Sequence, residues 1–398
     1  MEAIQKSRQI TSTAGALLLV TLMLTTVGLV MVYSASAPRA GYYVRRQMLK
    51  TNPQALEDYG TYHDGRYFVK QLGWVLIGLA GLWVLYKMDY GRLGGLSLVL
   101  FVITLGMLLL VLLTPLGVTV NGARRWLRIG PITLQPSEFA KLALVIISAR
   151  YLSGKRGEIR NFWSGVTPIM AVAGGYLALI FLEKDLGTII VIGAVLFVMF
   201  AISQMRRIHL FMVSISGLFV VGAGLLSEPY RRNRILSFLF PERFEESYGY
   251  QLKHSLIAFG SGGWTGTGLG EGVQKYQFLS EAHTDFIYAV IGEELGFIGA
   301  SLVPLMFIIF IWMGMRVALK SSDYFGSLLA AGLTTLIGLS AFVNFAVTLG
   351  LAPTKGLALP FISAGGSSLI SSLAAVGILM NISDFQQQMH GESLRPVG

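Results

Sequence analysis

Between residues 276 and 296 the sequence crowds Glu281, His283, Asp285, Glu293 and Glu294 into one short segment. Carboxylates that close can take a proton from a hydroxyl as general base, or hold a divalent cation between them. Asp285 also stands where a helix would start, so a helix cap is the competing reading. One histidine is not a ligand cluster and does not make a zinc centre.

Two more constellations carry charge. Ser137, after Pro136, reads as an N-cap, which sets Glu138 and Lys141 at i and i+3 on one face of the first helical turn, close enough to pair. Glu183-Lys184-Asp185 is a second acidic turn, with Asp185 placed to cap the helix that follows. Arginines cluster twice, as Arg124, Arg125 and Arg128 and as Arg231, Arg232 and Arg234. Guanidinium forks match phosphate oxygens, so a phosphorylated lipid is a reasonable ligand, and snorkelling to phospholipid headgroups is the plainer alternative. The glycine-rich stretch 260–272 is similar to a phosphate cradle, but no strand leads into it, and turn formation is the simpler use of its glycines.

What must position these groups is a membrane bundle. The 398 residues are 54% hydrophobic and 13% charged, with a mean hydropathy of +0.63, which excludes an ordinary water-soluble domain. Spans of roughly 20 apolar residues are expected near 13–36, 68–86, 93–113, 137–153, 163–182, 186–203, 208–227, 286–316, 326–350 and 366–383. The first is too long for a cleaved leader. Forty-seven glycines suit close helix packing in lipid. The fold class is thus all-α and polytopic, about ten transmembrane helices in one domain over 1–398, with no internal repeat. Lys and Arg recur in every alternate short loop, which makes both termini cytoplasmic and turns 37–67, 114–136, 228–285 and 351–365 outward. The net charge of +10 then reflects contact with anionic membrane lipids rather than nucleic acid. The absence of cysteine excludes disulfide and thiolate chemistry.

The stretches Val32–Ser36, 122–126, 135–141, 185–188, 281–286, 292–296 and 353–368 together resemble the SEDS family of shape, elongation, division and sporulation proteins over nearly the whole chain. The Pro353-Thr-Lys-Gly form of the last motif is closer to the division branch than to the elongation branch. Lys184 and Ser280 stand where the family usually has proline, Ala364 where a tyrosine is common, and the first outer loop is longer than usual.

The resemblance implies a peptidoglycan glycosyltransferase that polymerises lipid II at the division septum of a bacterial inner membrane, with its active site outside. The acceptor hydroxyl attacks the donor's anomeric carbon and undecaprenyl pyrophosphate leaves, so a single inverting displacement needs one base and a cationic cradle. Asp285 is the residue the family match places as base. Substrate contacts are expected from Arg124, Arg125 and Lys141, with Glu138 and Asp185 orienting Lys141, and from Glu281, His283, Lys355 and Ser363. No cofactor is required by this chemistry, and a divalent cation, Mg²⁺ or Mn²⁺, is left open. A class B penicillin-binding protein supplying transpeptidation, with other division proteins, is the implied partner. A lipid II flippase would need a polar path through the bilayer, and a division scaffold would need neither Asp285 nor the outer arginines.

Overall fold

A computed structural model of the chain describes residues 13–36, 66–120, 122–130, 132–244, 247, 249–279 and 281–392. The long first outer loop and Ser280 lie outside these. Helices α1 (Thr13–Ser36), α2 (Arg66–Lys87), α3 (Tyr90–Leu113), α4 (Pro136–Gly154), α5 (Thr167–Leu182), α6 (Leu186–Ile202), α7 (Arg207–Leu226), α11 (Ile287–Lys320), α12 (Tyr324–Thr348) and α13 (Gly366–Glu392) fall at the ten expected places. Between α7 and α11 come α8 (Pro229–Leu239), α9 (Tyr250–Gly262) and the single turn α10 (Gln274–Gln277).

Eight of the ten are long and apolar enough to cross a membrane, among the described residues. The two exceptions sit inside the bundle. Helix α6 is apolar but for Thr188 and has 17 residues, about 25 Å at 1.5 Å per residue. Helix α4 has 19, interrupted by Glu138 and Lys141, both buried. Around them, α12 and α13 are the most enclosed spans, each 72% buried over its apolar window, against 11% for the lipid-facing α7.

The helix ends sort into two sets. Tyr86 donates to Asp384, Tyr90 to Asp323, and Arg156 lies over the Tyr324 ring. That end carries the basic turns 87–92 and 150–160. At the other end Arg125 reaches the α5–α6 turn, Arg234 reaches Thr354, and the backbone of Gln135 meets Ser367. All the groups singled out for chemistry belong to this second end.

The segment between α3 and α4 is not the open loop expected of an all-α chain. It forms an antiparallel sheet of β1 (Gly117–Val120), β2 (Ala123–Ile129) and β3 (Ile132–Leu134), in that order. Its local signal is the Asn-Gly dipeptide at 121–122, a strong hairpin former. Ser137 is not the cap of α4: Gln135 occupies that position and Pro136 opens the helix, as its fixed φ favours.

The glycine-rich stretch is a binding loop for carboxylates of the protein itself. Gly270 N donates to Glu294 Oε2 at 3.0 Å and Val273 N to Glu293 Oε1 at 2.7 Å. Helix α11 breaks its geometry at Gly296, φ 65°, where Gly266 at φ 85° crosses it backbone to backbone. A side chain at either position would meet both a left-handed φ and an occupied space. Thus Glu293 and Glu294, candidates for chemistry by composition, anchor the loop.

Candidate active site

Asp285 lies one residue ahead of the N-cap of α11, which is Phe286 with no side-chain cap. The carboxylate is therefore not engaged as a cap. Its backbone is held from two sides. Asn344 Nδ2 donates to Asp285 O at 2.9 Å and to Leu357 O at 2.7 Å. Ser363 Oγ donates to Thr284 O at 2.6 Å and accepts from Leu359 N at 2.8 Å, while Ala364 N donates to His283 O at 2.9 Å. Ser363 and His283 thus tie the 353–364 segment to the Asp285 turn. The His283 ring lies edge-on to Tyr67 at 5.6 Å. Gly356 passes so close that a Cβ there would fall 2.8 Å from Asp285 Oδ2.

Burial, and then the nearby Glu281 carboxylate, push Asp285 up to about 7; Arg234 and Arg125 pull the other way and Asp185 adds to the rise. The causes identify the neighbourhood: two carboxylates and two guanidiniums, from four separate elements, all feel this one group. Such a value is matched to proton transfer near neutral pH.

Arg125 is carried by β2 to the α5–α6 turn. Its Nε and Nη2 donate to Glu183 O at 3.3 Å and Lys184 O at 2.6 Å, and Nη1 stands 4.0 Å from Asp185 Oδ1. Asp185 caps α6 as expected, accepting from Thr188 N at 3.2 Å and Thr188 Oγ1 at 2.9 Å. Lys184, between Glu183 and Asp185, takes φ 66°, a left-handed value that proline cannot adopt. Glu183 is fully buried with both oxygens unpartnered among the described residues. Burial and then Asp185 raise it to about 8, against Arg125, so it is largely neutral at pH 7.

Lys355 supplies a second cation. Its Nζ is buried with no hydrogen-bond partner among the described residues. Burial lowers it to about 8, opposed by Asp185 and assisted by Arg231 and Arg234. Those two arginines of α8, expected as outward cations, also belong to this site, and no local signal in the sequence joins them to Lys355. Arg234 Nη1 donates to Thr354 O at 2.9 Å. Arg231 donates to Gly224 O at 2.9 Å and lies over the Phe181 ring.

The remaining expected contacts sort differently. Successive residues of a strand face opposite ways, and Arg124, next to Arg125, donates to Thr114 O at the end of α3. Lys141 pairs with Glu138 at 2.8 Å, as the i, i+3 spacing implies, and Ser371 approaches Glu138 Oε2 at 3.5 Å. This pair lines a cavity of about 20 Å³ with Ser340, Ser368, Leu357 and Ala358, room for about one water. It lies on the bundle side of the 353–364 segment. Asp185 points to Thr188 and Arg125, so among the described residues Glu138 is the partner of Lys141 and Asp185 is not. No group of three or more His, Asp or Glu side chains gathers to hold a metal among the described residues.

Residues 15–388 match the cell cycle protein family that groups FtsW, RodA and SpoVE. A probable peptidoglycan glycosyltransferase FtsW of Trichlorobacter lovleyi is 41% identical over 394 residues, covering 96% of each chain. The stage V sporulation protein E of Bacillus subtilis is 38% identical, over 93% of this chain and 97% of that one. The chain belongs to the SEDS family. Within it the chain is FtsW-like rather than RodA-like. Two solved structures share the fold. One is a peptidoglycan synthase complex that coordinates polymerisation and crosslinking, with TM-score 0.73, 26% identity, and 93% and 97% of the two chains covered. The other is RodA of Thermus thermophilus, with TM-score 0.66, 25% identity, and 93% and 96% covered.

Proposed function

We propose that this SEDS protein is a septal peptidoglycan glycosyltransferase that polymerises lipid II with Asp285 as general base. The observation that carries the proposal is a carboxylate that caps no helix, raised to about 7 against the pull of two guanidiniums, with a buried ammonium on the same side of the bundle that has no hydrogen-bond partner among the described residues. Asp285 takes the proton of the acceptor's 4-hydroxyl as that oxygen bonds to the donor's anomeric carbon. The bond from that carbon to the pyrophosphate oxygen breaks, its electron pair leaves with undecaprenyl pyrophosphate, and the anomeric centre inverts. Asp285 then returns its proton to solvent.

The leaving group gains negative charge as the bond breaks, so cations fixed beforehand stabilise the transition state more than the ground state. Arg125, and Lys355 with Arg231 and Arg234, suit that role. Lys141, held by Glu138, keeps polarity beneath the 353–364 segment. A divalent cation would take its shell mainly from the pyrophosphate oxygens and water, as Mg²⁺ commonly binds, and would neutralise pyrophosphate charge while Asp285 stays free to take the proton. Titration with a chelator tests that part separately.

In this reading the site end faces away from the cytoplasm, because the opposite end carries the basic turns, and a class B penicillin-binding protein crosslinks the strands made here. Purified protein in detergent, given labelled lipid II, tests the function. Glycan formed without a membrane to cross supports the polymerase; transport in vesicles with no polymer would instead point to a flippase, and neither activity to a scaffold.

A further inference from the structure

A buried polar cluster near the site takes no part in the steps above. Lys275 and Glu294 pair at 2.7 Å with side chains 2% and 0% exposed. Ser34 of α1 joins them, donating to Glu294 at 2.7 and 2.8 Å and accepting from Lys275 Nζ at 2.8 Å. Lys275 also donates to Gly270 O at 2.6 Å. All three donors of the ammonium are thus used. Beside them, Glu293 Oε1 accepts from Val273 N at 2.7 Å and Gln274 N at 3.2 Å. These bonds join 273–275 to 293–294, and the chain between them, Asp285 included, is a loop closed at its neck. At the far side of that loop Asn344 and Ser363 hold the backbone of 284–285.

We infer that Lys275 is a positioning residue for the reaction: paired with Glu294 and tied to α1 through Ser34, it closes the neck of the 275–294 loop and fixes the Asp285 carboxylate relative to Arg125, Arg234 and Lys355. The role in turnover rests on the reading of Asp285 as base. A buried ion pair opens as a unit, because neither charge can stay inside alone. With the pair open, the neck is held by the Glu293 bonds alone and loses its tie to α1, so the Asp285 turn keeps its Asn344 and Ser363 contacts but can shift with the segment that leads into it. Misplacement by about 1 Å can cost on the order of 10²-fold in rate. The cations sit on β2, on α8 and in the 353–357 stretch, none of which the latch touches. Losing it should therefore lower turnover and spare substrate affinity. Ser34 gives a function to the Val32–Ser36 motif that the site itself does not use.

The test uses the full-length protein in detergent with labelled lipid II, alongside deuterium exchange over 281–286. For Lys275→Met, exchange over 281–286 should rise and kcat fall about tenfold or more, with KM within about twofold of the parent. Ser34→Ala removes hydrogen bonds but no charge, so it guards against a variant that fails to fold and should give a smaller loss of the same kind. Lys275→Arg should recover part of the lost kcat. Unchanged exchange over 281–286 in folded Lys275→Met or Ser34→Ala, or a loss carried by KM alone, overturns the inference. Should Asp285→Asn polymerise normally, the base reading fails instead, and the exchange measurement decides the latch by itself.

Discussion

Replacing Lys355 by arginine should widen the pH profile of this enzyme on its alkaline side. The base must be ionised and the ammonium protonated for one site to work, and the structure sets these near 7 for Asp285 and near 8 for Lys355. At pH 7.5 each group is then about three-quarters in the needed form, so roughly half of the molecules are competent, falling to about one-tenth near pH 6 and pH 9. The profile of kcat/KM, which reports the free enzyme, should be a narrow bell. Arginine stays charged throughout, so Lys355→Arg should lose the alkaline limb and keep the acid limb near 7. Lys355→Met should be depressed at every pH. The assay is initial polymerisation rate from pH 5.5 to 9.5 at lipid II below KM. A wild-type profile flat from 7 to 9.5, or an alkaline limb that survives in Lys355→Arg, would refute the assignment of that limb to Lys355.

Arg125→Ala should lower kcat/KM at least about tenfold, the scale of one lost charge-assisted contact, and shift the acid limb upward, because Arg125 is one of the cations that hold Asp285 down. An acid limb left in place would separate Arg125 from Asp285. Asp285→Asn should be more stable than the parent, since it removes a desolvated charge. The native carboxyl titrates near 7 and the unfolded one near the model-peptide value, so wild-type stability falls as pH rises between about 4 and 7 and is flat beyond. The gain in the variant is thus absent at low pH and complete above 7, on the order of 1–2 kcal/mol once partial exposure is discounted. Thermal melts at pH 5 and pH 8 check it, and a gain confined to pH 5 would contradict the sign.

The bundle was legible because lipid imposes one rule on every span it surrounds: eight of the ten runs obey it, and α4 and α6, enclosed by the others, were still marked by their apolar length. The Glu138–Lys141 pair and the Asp185 cap were legible for a similar reason: both are set within one helical turn. Asp285 was visible as a carboxylate but not as an uncapped one, since a shift of one residue in the start of α11 decides between the two. Contacts across the fold were beyond reach. Nothing local says that Glu293 and Glu294 serve the glycine loop, or that Arg231 and Arg234 on α8 meet Lys355 more than a hundred residues later. The alternation that separates Arg124 from Arg125 follows once β2 is recognised, and the strand signal was masked by the helical character of all that surrounds it.

The central claim rests on Asp285, and Asp285→Asn tests it most directly because asparagine keeps the size of the group and its backbone contacts while it cannot accept a proton at neutral pH. The measurement is glycan chain formation from labelled lipid II by purified protein, run on a gel beside a thermal melt and a lipid II binding isotherm. The account predicts a folded variant that binds lipid II normally and makes glycan roughly 10²-fold more slowly or worse. Polymer of parental length and rate from folded Asp285→Asn would contradict it and pass the role of base to Glu281.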